Sequence, residues 1–251
     1  MLGCWRLELF LPMTLLDLTL PSPAENLALE EALLDAAEAG NGGEALRFWE
    51  SPTPFVVVGY ANKIASEVNM TVCEAKGIPI LRRCSGGGTV VQGPGCLNYA
   101  VVLRITETGP TRSISAANQY VMERVRHAIS QLLVSNSQLR IAGHTDLALG
   151  SLKFSGNAQR RRKNFLLFHG SLLLNFHLPL ISELLNMPSL QPDYRDGRAH
   201  DQFITNLNLP AEKVKNALAA EWQASMDSSS APKVPSKLLE KYGSAEWNRK
   251  F

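Results

Sequence analysis

The strongest hydrophobic pattern in the chain lies at Ser113–Val134. There Ile114, Ala117, Val121, Val125, Ile129 and Leu132 recur at helical spacing, which predicts an amphipathic helix. A second helix is predicted to start at Ser22-Pro23-Ala24-Glu25, a capping box with proline at the first helical position. Its apolar positions are Leu27, Ala28, Ala32, Leu33 and Ala36; Glu30, Glu31, Asp35 and Glu38 are expected to face water, and Gly40-Asn41-Gly42-Gly43 ends it. Shorter helices are predicted at Ile64–Ala75, Leu180–Leu185 and Ala211–Trp222.

Between these lie short β-branched or alternating runs. They predict strands at Thr14–Leu20, Ala45–Trp49, Phe55–Val58, Ile78–Arg83, Gly88–Gln92 and Leu97–Ile105. A later group is predicted at Leu139–Ala142, Leu147–Leu149, Leu152–Ala158 and Phe165–Phe176. Strands in runs, with helices between the runs, predict an α+β fold with mixed or antiparallel sheets flanked by helices. Residues 1–226 are expected to form one domain, with 1–12 as an N-terminal extension and 227–251 as a polar linker and short tail. Leu238, Leu239, Tyr242 and Trp247 give that tail an apolar side to pack back on the domain.

Composition narrows the function classes. A net charge of +2 over 251 residues gives no electrostatic footprint for nucleic acid. No apolar run reaches the length of a membrane span, and the start lacks the order of a signal peptide. The four cysteines, Cys4, Cys73, Cys84 and Cys96, form neither a C-x-x-C pair nor a zinc pattern, so a reducing cytoplasm is expected.

Two segments carry candidate chemistry. Arg82-Arg83-Cys84-Ser85-Gly86-Gly87-Gly88-Thr89-Val90-Val91 joins two strands, with glycines whose N–H groups can approach an anion and arginines offering forked donors. A plain glycine-rich hairpin with solvated arginines is the competing reading. Gly143-His144-Thr145-Asp146-Leu147 is followed by Lys153-Phe154-Ser155-Gly156-Asn157-Ala158, where Lys153 sits on a strand that ends in small residues. Its ammonium can point into a cleft or simply into water.

Taken together with Val56-Val57-Val58-Gly59-Tyr60-Ala61-Asn62 and His169-Gly170-Ser171-Leu172-Leu173, these segments resemble the lipoate–protein ligase A family of the biotin and lipoate protein ligases. The resemblance runs from about Asn26 to about Leu207. It implies an enzyme that uses ATP and Mg2+ to activate lipoate or octanoate as acyl-AMP, then transfers the acyl group to a lysine of a lipoyl carrier domain. It implies that Arg83, Gly88, Thr89, Val90, Val91 and Lys153 hold the nucleotide. Arg83, Ser85, Gly86, Gly87, Lys153, His169 and Gly170 would hold the acyl group, with Lys153 catalytic and Asp146 orienting it or holding a magnesium-bound water. An apolar slot lined by Val57, Leu81, Val90 and Leu172 would take the acyl chain, at roughly 0.8 kcal/mol per buried methylene.

The family pattern differs here at Thr145, often asparagine, and at Gln92-Gly93, often His-Asp. Many bacterial members carry an accessory domain for which this chain has no room, so a separate accessory polypeptide is one expectation. Relatives that transfer octanoyl groups from a carrier thioester, or pass on a preformed acyl-adenylate, form the alternative activity. The thioester route uses a cysteine shortly before the lysine or well after it, and no cysteine follows Cys96; Cys84, beside Arg83, and Cys96 remain candidates, though a buried packing role is expected of them. A biotin ligase is a further competitor, though its loop alternates glycine and arginine; a silent binding module would be expected to lose Arg83 or Lys153. Arg160-Arg161-Arg162-Lys163 reads as a hairpin turn, either solvated or a dock for an acidic carrier, and Gln191–His200 as a loop that covers the site, reaches the carrier or lies idle on the surface.

Overall fold

The computed structural model describes residues 13–134, 137–188, 190–226 and 233–251. The expected N-terminal extension and the linker at 227–232 lie outside the described residues, as does Cys4. In chain order come β1 (Thr14–Asp17), α1 (Pro23–Glu38), β2 (Ala45–Trp49), β3 (Phe55–Val58), α2 (Ile64–Glu67), α3 (Met70–Ala75) and β4 (Ile80–Arg82). Next are β5 (Val90–Gln92), β6 (Cys96–Arg104), α4 (Ile114–Ser130), β7 (Leu139–Ala142), β8 (Asp146–Leu149), β9 (Leu152–Arg161) and β10 (Phe165–Leu173). After these are α5 (Pro179–Leu184), a 3-10 turn at Asp193–Arg195, α6 (His200–Phe203), α7 (Ala211–Trp222), β11 (Ser225–Met226), α8 (Ser236–Gly243) and α9 (Ala245–Asn248).

The fold is α+β, as the runs of strands predicted. Eight strands form a mixed sheet in the order β11-β1-β2-β6-β10-β9-β8-β7, and β4-β3-β5 form a smaller one. At the centre, β6 and β10 pair antiparallel over nine residues each, and β6 is buried along almost all its length. Helices cover both faces of such a strand, which explains its nearly unbroken apolar run. On one face Leu46, Phe48, Tyr99, Val101, Leu166 and Phe168 pack against α4 and α7. On the other, Ala45, Ala100, Val102, Phe165 and Leu167 meet Leu34 and Ala37 of α1. This second face also carries Arg47, Trp49 and His169, by the two-residue alternation of a strand.

Several elements differ from the sequence reading. The helix expected over Ile64–Ala75 is two pieces, because Val68 is extended and bridges to Leu185 while Asn69 caps α3. Ile114, expected on the apolar face of α4, is 59% exposed, whereas Ala117 three residues on is buried. Glu30 and Glu31, expected to face water, are buried. Helix α1 lies between the sheet and the tail, so Glu31 accepts bonds from Lys241 (2.6 Å) and Tyr242 (2.8 Å). The basic run is not one turn. β9 continues through Arg161, whose guanidinium donates to the Thr111 carbonyl, and the turn proper begins at Arg162, which pairs with Asp35 at 2.8 Å. No helix among the described residues is long and apolar enough to cross a membrane.

Candidate active site

A cavity of about 870 Å³ lies between the glycine turn, the β8–β9 hairpin and the segment after α5, large enough for a small-molecule site. Arg83, Gly87, Gly88, Thr89, Val90, Val91, Asp146, Lys153, His169 and Gly170 all line it. Ser85 and Gly86 do not, and stand behind the lining as its support.

The turn takes its shape from Arg83. Its Nη2 donates to the carbonyls of Gly86 (2.6 Å) and Gly88 (2.7 Å), and its Nε to Ser85 Oγ (3.1 Å). Burial lowers its guanidinium pKa to about 10, against the opposing pull of Cys84 and Glu30. Arg82, one residue earlier on β4, faces away and donates to the carbonyls of Gly59, Tyr60 and Asn62. The expected pair of anion-binding arginines is therefore one cavity residue and one strut. Gly59 is required because the Gly87 carbonyl crosses so closely that a Cβ would meet it at 2.1 Å.

Behind the turn runs a hydrogen-bonded chain. Glu30 Oε2 accepts from His169 Nδ1 at 2.5 Å, and the other ring nitrogen, Nε2, lies 2.5 Å from the Ser85 hydroxyl. Glu30 also accepts from Trp49 Nε1 at 2.8 Å. Burial alone would raise the Glu30 pKa; His169, Arg47 and Trp49 outweigh it and hold the carboxyl below its ordinary value. Sequence periodicity placed Glu30 on the wet side of α1; the signal that could have found it is an acidic residue beside apolar Leu27 and Ala28.

Across the cavity, the β8–β9 register shifts between Leu147 and Ala148, so Leu147 pairs with Ser155 and Ala148 with Lys153, with Phe154 the extra residue. Such a bulge re-aims side chains. Phe154 enters the core while Lys153 reaches the cavity, its Nζ 2.8 Å from Asp146 Oδ1 and its side chain 27% exposed. Asn157 braces the hairpin, donating to the Thr145 carbonyl at 2.6 Å and accepting from the Tyr99 hydroxyl at 2.6 Å. Gly170 on β10 leaves the room that this carboxamide occupies.

The apolar lining includes Val57 and Val90, as expected, together with Leu27 and Trp49. Leu172 and Leu81 are not part of it. Leu172 points to the α4–α7 core, and Ser171 takes the cavity side; Leu81 packs with Leu27 and Tyr242. The segment 190–195 covers the cavity rather than lying idle on the surface. Thr89 Oγ1, Gln92 Oε1 and Asn98 Oδ1, on residues that line it, are buried without a hydrogen-bond partner. A protein-held magnesium does not fit. No group of three His, Cys, Asp or Glu side chains suited to a metal occurs among the described residues, and both Asp146 oxygens are engaged, by Lys153 and by Tyr194.

The model of the lipoyl protein ligase A/B catalytic domain matches residues 22–223. The chain belongs to this family. Its relatives divide between two reactions. Lipoate–protein ligase 1 of Staphylococcus aureus is 32% identical, over 66% of this chain and 47% of its own. Octanoyltransferase LipM of Geobacillus kaustophilus is 25% identical, over 91% of this chain and 94% of its own. The chain spans about half the length of the Staphylococcus ligase and of a relative from Aeropyrum pernix that is 34% identical. Among solved structures, the bi-partite lipoate protein ligase of Thermoplasma acidophilum superposes with a TM-score of 0.79, covering 95% of this chain and 96% of that one at 24% identity. A lipoate-protein ligase A bound with ATP gives 0.77, covering 95% and 99% at 23% identity. These two likenesses concern the fold.

Proposed function

We propose that this family member activates lipoate, or octanoate, with ATP and transfers the acyl group to a lysine of a lipoyl carrier domain. In the first step a carboxylate oxygen attacks the α-phosphorus and pyrophosphate leaves. In the second the carrier amine attacks the acyl carbonyl, AMP leaves with the bonding pair, and the amine loses a proton. Both steps crowd anionic oxygens together, so the site needs fixed positive charge where they meet. Lys153 supplies that charge opposite the N–H groups of the glycine turn, and Arg83 holds the turn in shape. The unpartnered Thr89, Gln92 and Asn98 oxygens are suited to a polar ligand that donates to them. Asp146 serves as the orienter of Lys153. Magnesium carried on the nucleotide's phosphates would need no cage from the protein.

The observation that supports adenylation over thioester exchange is the state of the thiols among the described residues. Cys73, Cys84 and Cys96 are all buried there, and none lines the cavity. A transfer nucleophile needs an accessible, acidified thiol. Exchange from an octanoyl thioester is the second reading, favoured by the end-to-end match to LipM. The bi-partite Thermoplasma ligase, described with its E2 lipoyl domain, supports a lipoyl carrier as acceptor and a separate accessory polypeptide as partner.

The test incubates the protein with magnesium ATP, lipoate and a lipoyl carrier domain, and measures pyrophosphate release and carrier mass. A parallel reaction supplies octanoyl-carrier thioester without ATP. ATP-dependent mass gain is expected; gain only in the thioester reaction would replace the first reading with the second.

A further inference from the structure

Tyr194, in the 3-10 turn that covers the cavity, donates its hydroxyl to Asp146 Oδ2 at 2.7 Å, while Oδ1 of the same carboxylate takes the Lys153 ammonium at 2.8 Å. One carboxylate thus joins a covering segment to the lysine of the β8–β9 hairpin. The phenol is held from several sides. Its ring packs against Phe203 with centroids 5.1 Å apart, the Arg140 guanidinium lies 5.4 Å from its centroid, and its carbonyl accepts from Arg198 at 2.8 Å. Burial and the neighbouring carboxylate raise its pKa, so it remains a donor.

We infer that Tyr194 is a positioning residue for Lys153, acting through Asp146. A carboxylate free at one oxygen can rotate and draw an ammonium onto both of its own oxygens. With Oδ2 bonded to the phenol, only Oδ1 faces the lysine. Its ammonium is then held at one point and keeps its remaining hydrogens for the acyl phosphate. Neither the sequence pattern nor the family resemblance marks this tyrosine. The inference rests on the adenylation reading for the role of Lys153.

The test uses the full chain and two assays: lipoate-dependent ATP–pyrophosphate exchange, and acyl transfer from preformed lipoyl-AMP to a carrier domain. Tyr194→Phe keeps the ring and its packing, so its melting temperature should match wild type. Its kcat should fall roughly tenfold in both assays, with KM for lipoate within about twofold, because positioning acts on the transition state. Adding Tyr194→Phe to Asp146→Asn should cost nothing further, since a residue acting through a partner is silent once that partner is altered. A Tyr194→Phe enzyme equal to wild type, or a double variant whose losses multiply, would overturn the positioning role. Wild-type protein that transfers from lipoyl-AMP but performs no exchange overturns the adenylation reading alone, because the transfer assay still reports on Lys153. Inactivity in both overturns the two together.

Discussion

Arg83 and Lys153 line one cavity and are built to opposite specifications. Arg83 is buried, and each of its three nitrogens is already bonded to its own surroundings, through Ser85, the Gly86 and Gly88 carbonyls and, at 3.4 Å, the Val57 carbonyl. Lys153 is more open, and its ammonium pairs with Asp146. A planar fork suits the first task, because it fixes several acceptors at once; a compact ammonium with hydrogens to spare suits the second. A cation near a ligand is therefore not yet a ligand-binding cation. Arg83 thus shapes the site, and the proposed chemistry falls to Lys153.

The largest expected effect tests the lysine. Lys153→Ala should lower the rate of lipoate-dependent pyrophosphate exchange about 10³-fold, the scale of losing one preorganised donor at a developing charge. Its thermal midpoint should stay at the wild-type value; a lowered midpoint would move Lys153 to the structural side of the comparison. Arg83→Ala should do the reverse first, destabilising the fold by about 3 kcal/mol in urea titration, because buried turn carbonyls lose a charged donor. Arg83→Lys keeps the charge without the fork and should remain destabilised. A full rescue by lysine would mean that charge alone matters at this position.

Glu30 supports the first specification, since its carboxylate anchors His169, which meets Ser85, which in turn accepts from Arg83. Its pKa is depressed in the folded state, so the stability it contributes is present above the ordinary glutamate value of 4.5 and is lost as pH falls through the folded value. Glu30→Gln should lower stability at neutral pH by on the order of 2 kcal/mol. It should also flatten the acid limb of a stability-versus-pH curve. An unchanged acid limb would cut Glu30 out of the chain that supports the turn.

The mixed-sheet fold was readable because propensity and burial agree in its core. β6 and β10 are apolar on both faces, α4 repeats at helical spacing, and the Ser22–Glu25 cap forms as written. The misreadings share one cause, which is that local pattern cannot see what packs over it. Glu30 and Glu31 look solvated until His169, Trp49 and the tail helices cover α1. Arg160 looks like part of a basic turn until β9 carries it to lie over the Tyr60 ring. Leu172 and Ser171 exchange faces on a single-residue change of phase. The β8–β9 bulge, which aims Lys153, and Tyr194, which braces Asp146, leave no periodic trace at all.

The smallest expected effect is the one that separates the two reactions of the family. Cys84 lies in the glycine segment beside Arg83, where proximity to a cation would ordinarily acidify a thiol. Burial wins instead: the Cys84 thiol is pushed up to about 12, by desolvation first and then by Glu31, and Cys96 likewise to about 12. Cys84→Ala and Cys96→Ala should therefore change the exchange rate less than about twofold, and brief iodoacetamide treatment of the native protein should leave activity intact. Cys4→Ser belongs in the same series, because that residue lies outside the described part of the chain. If any of these substitutions abolished octanoyl transfer from a thioester, a cysteine would replace Lys153 at the centre of the chemistry. The contrast between the two cations would then describe only how the cavity is held open.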